Sequence, residues 1–127
     1  MPDAFDIVNV RYMVSDVQQA VDWYAGHFGF TVRMASPAFG SVERGCLRLL
    51  LSGPKSSAGR AMPDGRQPEP GGWTRFQVIV DDIAAEVERL RARGVTFRNE
   101  ILSGPGGSQI LAEDPSGNLV ELFQPAR

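Results

Sequence analysis

The sequence predicts an α+β protein made of two tandem copies of one strand-and-helix module, and three observations lead to that prediction. Residues 9–33 align with residues 75–98 across a single one-residue gap. Residues 45–50 mirror residues 117–122, so the repeat extends to the end of each half. Residues 52–72, between the halves, are rich in glycine, proline and serine. Self-similarity of this kind marks a repeated structural unit. We therefore predict one domain over residues 1–127, with modules at about 5–53 and 73–125 joined by loop 52–72.

The first module is predicted to begin with a strand followed by a helix. An alternating apolar run ends at Ser15 and Asp16, where Asp16 can accept a hydrogen bond as the helix N-cap. Apolar residues then recur at helical spacing, which predicts an amphipathic helix. These residues are Val17, Ala20, Val21, Tyr24 and Phe28. A glycine and a further strand follow.

The second module repeats this order. Asp82 is placed to cap a helix with apolar residues at Ile83, Val87 and Leu90, and Gly94 follows its predicted end. Residues 114–118 combine Asp, Pro, Gly and Asn, which is typical of a hairpin turn. Residues 104–107 are predicted to form another turn between strands. Loop 52–72 is long for a compact domain, so it is either a lid over a ligand or a flexible tether.

Composition and charge exclude several classes of partner. The chain has 43% hydrophobic residues and a net charge of -2, with basic residues spread along its length, so we expect no nucleic-acid partner. The acidic N-terminal stretch is too short of apolar residues for a signal peptide or a membrane span, and a cytoplasmic location is expected. Cys46 is the single cysteine, which excludes an internal disulfide, and we expect it to be buried.

Two motifs give the chain a recognisable resemblance. The run VRYMVSDVQQAVDWYAGHFGF, followed much later by EDPSGNLVELFQP, resembles the vicinal oxygen chelate superfamily of glyoxalases, bleomycin resistance proteins and extradiol dioxygenases. The resemblance implies βαβββ modules, each with four mostly antiparallel strands curled into a half-barrel cup and a helix on the convex side. It also implies that two cups enclose a site, the second cup belonging to the same chain or to a partner. We accordingly expect a homodimer.

In the enzymes that the chain resembles, four positions hold a metal ion. They correspond here to Asn9, Leu49, Arg75 and Glu121. Glu121 alone is a usual ligand, whereas catalytic zinc and iron sites need about three ligands drawn from histidine, cysteine and carboxylate. The one histidine, His27, falls near the end of the first helix. We therefore expect no cofactor and disfavour a divalent metal, and we expect Arg75 and Glu121 to pair instead.

Strand alternation predicts which side chains face the cup, because residues two apart share a face. The predicted cup residues are Asn9, Arg11, Met13, Leu47, Leu49, Leu51, Trp73, Arg75, Gln77, Ile79, Leu119, Glu121 and Phe123. Arg48 is expected on the opposite face, towards the helix. The leucines suit a plain core as well as a ligand site, and Trp73 suits packing under a loop as well as ligand contact.

These residues predict a largely apolar pocket with a few polar groups, which is typical of a small-molecule site. The predicted ligand-binding set is Asn9, Arg11, Met13, Leu49, Trp73, Arg75, Gln77, Glu121 and Phe123. The interpretation is a protein that binds a hydrophobic or aromatic molecule, similar to the antibiotic-sequestering bleomycin resistance branch. Two alternatives stay open: a metal-dependent lyase, isomerase or dioxygenase, and a metal-free enzyme with Glu121 as the catalytic acid or base.

Overall fold

The computed structural model describes residues 3–127, which divide into two compact units between Pro70 and Gly71. The boundary therefore lies near the end of the predicted loop 52–72. In the first unit the elements follow the predicted order, with a short 3-10 helix, Ala4–Asp6, before them and another, Ser57–Gly59, after them. They are β1 (Val8–Met13), α1 (Val17–Phe28), β2 (Thr31–Ala35), β3 (Phe39–Arg44) and β4 (Leu47–Ser52).

The second unit repeats the arrangement with one more strand. Its elements are β5 (Arg75–Ile79), α2 (Ile83–Ala92), β6 (Thr96–Phe97), β7 (Leu102–Gly104), β8 (Gly107–Glu113) and β9 (Leu119–Pro125). The strand that would correspond to β2 is split, because β6 and β7 both pair with β8. The α+β class and the two strand-and-helix modules are thus confirmed, as is the turn at residues 104–107.

Each unit contains an open mixed sheet. The strand orders are β1-β4-β3-β2 and β5-β9-β8-β6, and β1 and β5 run parallel to β4 and β9. The sheets are therefore mostly antiparallel, as predicted, and the first strand of each module is the exception. The reason is topological: a helical crossover returns the chain so that the next strand keeps the direction of the first. Two hairpins then leave the last strand parallel to the first.

The helix caps are those expected from the sequence. Asp16 accepts a hydrogen bond from Gln19 N at 3.0 Å, and Asp82 accepts one from Ala85 N at 3.1 Å. Gly29 closes α1 with a φ of 68°, a conformation that glycine adopts without steric cost. The five apolar residues predicted for the first helix are its buried residues. Neither α-helix in residues 3–127 is long and apolar enough to cross a membrane.

Each helix covers one face of its sheet and leaves the other uncovered by it. In the first unit a Cβ on Gly40 would lie 2.7 Å from Val21 Cγ2 of α1, so Gly40 and its cross-strand neighbour Leu51 face the helix. In the second unit Ile83 N of α2 donates to Gln124 Oε1 at 2.9 Å, which places Gln124 on the helix side. We call the opposite sides the first and second open faces. The first open face carries Asn9, Arg11, Met13, Ser41, Glu43, Arg48, Leu50 and Ser52, and the second carries Arg75, Gln77, Ile79, Gln109, Leu111, Glu113, Leu119, Glu121 and Phe123.

The predicted orientation of β4 is wrong by one residue. Asn9 lies opposite Arg48, and Val10 lies opposite Leu49, so Leu47, Leu49 and Leu51 share the helix side. Leu49 is fully buried there. Arg48, expected to face the helix, lies on the first open face.

The cause of this error is a difference in turn length. The β3–β4 hairpin closes with two residues, Gly45 and Cys46, whereas the β8–β9 hairpin closes with the five residues 114–118. An alignment of Gly45 with Gly117 therefore places β4 one residue out of register with β9. Cys46, expected to be buried, is exposed in the shorter turn.

Candidate functional site

Glu121 is the central polar residue of the second open face. Its side chain is only 7% exposed, and its Oε1 accepts a hydrogen bond from Arg75 Nε at 2.9 Å. Its Oε2 accepts one from Gln77 Nε2 at 2.6 Å. In the parallel register of β5 and β9, Gln77 lies opposite Glu121 and Arg75 lies opposite Leu119. The side chains of Gln77 and Arg75 are therefore both within reach of the Glu121 carboxylate. The predicted pairing of Arg75 with Glu121 is confirmed.

The residues at the family's metal positions do not fit a metal ion. Both Glu121 oxygens accept hydrogen bonds from side chains, and one donor is the permanently charged Arg75. The residue that matches Glu121 in the first unit is Leu50, because Arg11 lies opposite Leu50 as Gln77 lies opposite Glu121. Within residues 3–127 no group of three or more His, Cys, Asp or Glu side chains is placed to hold a metal ion.

An exposed aromatic residue lies two positions before β5. Trp73 is 67% exposed, and the Arg98 guanidinium lies 4.6 Å from the centre of its ring. Arg98 also donates to the carbonyl oxygens of Gly72 and Gly117 and lies 3.5 Å from Glu113 Oε1. This cation–π contact fixes the orientation of Trp73. Sequence reasoning missed Arg98, although its place at the end of the aligned repeat could have drawn attention to it.

A row of side chains, apolar except for Gln109, crosses the second open face. Leu102 lies opposite Gln109, Gln109 opposite Phe123, and Phe123 opposite Ile79. Leu102 and Ile79 are more than half exposed, at 55% and 57%. The second open face therefore combines an apolar row and a hydrogen-bonded carboxylate, and Arg98 contacts both Trp73 and Glu113 of that face. Ile79 and Phe123 were predicted here, whereas Leu102 and Gln109 were not, because β7 has only three residues.

The first open face carries the charged residues Arg11, Arg48 and Glu43. Arg11 Nη1 donates to Ser52 Oγ at 2.8 Å. Glu43 Oε2 lies 3.8 Å from Arg48 Nη2 and 3.5 Å from Arg33 Nη1. Asn9, Arg11 and Met13 occupy this face as predicted from alternation, whereas Leu49 does not, because it faces α1. Leu49 is therefore removed from the candidate ligand-binding set.

Loop 52–72 is folded through most of its length. Gly53 N donates to Ala38 O, just before β3, which joins the start of the loop to that strand. Gln67 Nε2 donates to Gly59 O at 2.6 Å, which joins two parts of the loop. A cavity of about 340 Å³ lies beneath it, lined by Met13, Val14, Ser15, Ser52, Gly53, Pro54, Gly59, Gln67, Pro68 and Pro70. This arrangement is that of a loop covering a cavity rather than of an extended tether.

Comparison with protein families gives one match that spans nearly the whole chain. The model of the Glyoxalase/Bleomycin resistance protein/Dioxygenase superfamily matches residues 6–122. A search of curated proteins found no match.

Solved structures similar to this chain include enzymes and binding proteins. A lactoylglutathione lyase from Agrobacterium tumefaciens is 25% identical, covers 97% of this chain and 94% of its own, and has a TM-score of 0.70. The antibiotic binding protein TnmS3 from a Streptomyces species is 27% identical, with coverages of 94% and 95% and a TM-score of 0.71. A superfamily member from Sphaerobacter thermophilus is 28% identical, with coverages of 93% and 95% and a TM-score of 0.72.

Proposed function

Because the chain belongs to the Glyoxalase/Bleomycin resistance protein/Dioxygenase superfamily, we propose that it binds a small hydrophobic or aromatic molecule and releases it unchanged, without a catalytic metal. The proposed activity is sequestration, as in the antibiotic-binding members of the superfamily. We further propose that the protein acts as a cytoplasmic homodimer, and light scattering of the purified protein tests its association state.

The hydrogen bonding of Glu121 is the observation that supports this proposal best. Its Oε1 accepts from Arg75 Nε at 2.9 Å and its Oε2 from Gln77 Nε2 at 2.6 Å, so a metal ion on either oxygen would lie beside a hydrogen-bond donor. A divalent cation would also sit beside the fixed positive charge of Arg75, which opposes binding. The arrangement instead forms a neutral polar centre, which can orient an uncharged or aromatic ligand through hydrogen bonds.

Exposed apolar groups on the second open face, and Trp73 just before β5, support an organic ligand. Trp73, Ile79 and Leu102 are each more than half exposed, and Phe123 lies between Gln109 and Ile79 in the sheet. Apolar residues clustered on a face around a few polar groups mark ligand sites more often than plain surface. The likeness to the antibiotic binding protein TnmS3, at 27% identity, favours the same class of ligand.

Tryptophan fluorescence tests the binding proposal directly. The chain has two tryptophans, so Trp23→Phe leaves Trp73 as the single reporter. A panel of aromatic antibiotics and simple aromatic compounds should produce a saturable change in Trp73 emission. Trp73→Leu, which keeps an apolar side chain, should weaken binding about tenfold because an aromatic contact is lost. Mass spectrometry of the released ligand should find it unchanged.

Metal analysis of protein purified without an affinity tag separates the proposal from the enzyme alternatives. Near-stoichiometric nickel, zinc, iron or manganese that is lost in Glu121→Ala would overturn the metal-free proposal and favour a lyase or dioxygenase. Conversion of a bound ligand in the absence of metal, abolished in Glu121→Gln, would instead assign Glu121 as a catalytic acid or base.

A further inference from the structure

The first open face has more positive than negative side chains. Arg11 and Arg48 of this face and Arg33 of β2 supply three guanidinium groups, and Glu43 supplies one carboxylate in contact with Arg33 and Arg48. Neither contact is close, since the distances from Glu43 Oε2 are 3.5 Å to Arg33 and 3.8 Å to Arg48. Arg11 donates to the neutral Ser52 hydroxyl at 2.8 Å. The positive charge of this face is therefore only partly neutralised by its neighbours.

Two buried polar atoms of the same face make no hydrogen bond within the described residues. They are Arg48 Nε and the hydroxyl oxygen of Ser41, which is 4% exposed. Ser41 lies opposite Leu50 and next to the row that holds Glu43 and Arg48, so the two groups occupy neighbouring positions on one side of the sheet. A buried donor without a partner costs about 1–3 kcal/mol. Both atoms have almost no exposed surface, so an oxygen acceptor reaches them only where neighbouring side chains move aside, and it would then remove that cost.

We propose that the first open face binds the anionic oxygen group, a carboxylate or a phosphate, of a small molecule with an apolar body. Arg48 and Arg11 supply the positive charge, and the Ser41 hydroxyl donates a further hydrogen bond. Guanidinium groups bind such oxyanions through short, charge-assisted hydrogen bonds. The inference goes beyond the proposed function, because it assigns an anion site to the first unit, whereas the proposed function is argued from the second open face.

The apolar body of the ligand would occupy the neighbouring cavity. Ser52, which accepts the hydrogen bond from Arg11, lines the cavity of about 340 Å³ beneath the loop. Met13 lies on the first open face and also lines that cavity, together with Val14 and three prolines. Its volume lies within the range of about 300–1,000 Å³ typical of ligand pockets. An aromatic acid could therefore bind with its ring in the cavity and its charged group beside Arg11.

A matched pair of probes tests the charge preference. Binding of 2-naphthoate and of 2-naphthamide, which share a ring system and differ in charge, is measured by isothermal titration calorimetry. We expect the wild-type protein to prefer naphthoate by about tenfold to a hundredfold, the contribution of one or two charge-assisted hydrogen bonds. Naphthyl phosphate and inorganic phosphate, as further probes, distinguish a ligand with an apolar body from a free anion.

Three substitutions locate the preference on this face. Arg48→Met and Arg11→Met should each reduce the preference at least several-fold, while Ser41→Ala should reduce it less. Arg44→Met is the control, because Arg44 is exposed at the end of β3 and lies opposite Leu47, on the other side of the sheet. It removes the same charge from nearly the same place and should leave the preference unchanged. Thermal melting confirms that each variant is folded.

The outcomes separate this inference from the proposed function. Equal binding of naphthoate and naphthamide, or a preference that survives in Arg48→Met, would overturn the anion site while leaving small-molecule binding intact. Failure of both naphthyl probes and naphthyl phosphate, with neutral or cationic compounds still binding, would do the same. Inorganic phosphate binding as tightly as naphthyl phosphate would overturn the role of the apolar cavity. If no compound binds by calorimetry or by Trp73 fluorescence, both proposals fail.

Discussion

The two open faces are built on the same module but arrange their charges differently. On the second face each carboxylate has one arginine: Glu121 pairs with Arg75 at 2.9 Å, and Glu113 lies 3.5 Å from Arg98. On the first face Glu43 lies 3.5 Å from Arg33 and 3.8 Å from Arg48, and Arg11 donates to the neutral Ser52 hydroxyl. The repeat therefore determines which positions of the sheet lie on each open face. The residue types at those positions determine whether the charges of a face are paired with one another.

Glutamate substitutions at two adjacent positions in β4 should give the largest difference. Leu49→Glu would bury a carboxylate against α1 at a fully buried position, which should cost at least about 4 kcal/mol and leave the protein largely unfolded. Leu50→Glu would place the carboxylate on the first open face opposite Arg11, at the position that matches Glu121. We expect a change of less than about 1 kcal/mol there. Circular dichroism during urea titration measures both.

The uncharged variants Leu49→Gln and Leu50→Gln are the controls for this comparison. If Leu50→Glu unfolded the protein and Leu49→Glu did not, β4 would have the opposite orientation and the first open face would be wrongly assigned. Leu50→Glu should also reduce the preference for naphthoate, because it makes the charges of the first face resemble those of the second.

The β4 register shows what the sequence could and could not provide. Helical spacing, capping residues and the repeat correctly predicted α1, α2 and the strand order along the chain, because these follow from local patterns. The orientation of β4 depends on the length of a turn, and a one-residue difference reverses every side chain of a strand. Leu47, Leu49 and Leu51 alternate with Arg48 and Leu50, so the apolar pattern alone did not reveal the error.

The candidate site was predictable where the repeat placed polar residues in register. Arg75 and Glu121 were expected to meet because each strand position was fixed by the alignment. Arg98 and Leu102 were not, since they belong to the irregular stretch that splits the second strand of the module. The contact of Arg98 with Trp73 joins residues 25 positions apart through a cation–π interaction that no local sequence pattern records.

The two hairpin turns should differ strongly in their sensitivity to substitution. Asp114 Oδ1 accepts hydrogen bonds from Ser116 N and Asn118 N, both at 2.9 Å, and Asn118 in turn holds Gly71 N. Asp114→Ala should lower the free energy of unfolding by about 2–4 kcal/mol, because it removes acceptors from a buried turn. Cys46→Ser, in the exposed turn of the first unit, should change it by less than about 0.5 kcal/mol. Equal losses in chemical denaturation would show that the longer turn is not stabilised by Asp114.

A double-mutant cycle measures the pairing on the second face. Arg75→Leu should cost about 2 kcal/mol, below the full value for a buried pair because the Arg75 side chain is 32% exposed. Glu121→Leu should cost less, since Arg75 can turn towards water. The double variant should be at least about 1 kcal/mol more stable than the sum of the single losses predicts. The same cycle on Glu43 and Arg48, which are 3.8 Å apart, should give a coupling below about 0.5 kcal/mol.

Arg48→Met should have the smallest effect on stability, and its sign is the informative quantity. The substitution removes a buried Nε without a hydrogen-bond partner and reduces repulsion from Arg11 and Arg33, while Met retains most of the apolar stem. We expect the unfolding free energy to stay constant or to rise by up to about 1 kcal/mol, seen as an unchanged or higher urea midpoint at constant m-value. Arg44→Met is again the control for the general loss of one positive charge.

A clear fall in the midpoint for Arg48→Met alone would mean that Glu43 neutralises Arg48 as Glu121 neutralises Arg75. The first face would then hold no spare positive charge at Arg48, and the contrast between the two faces would be lost.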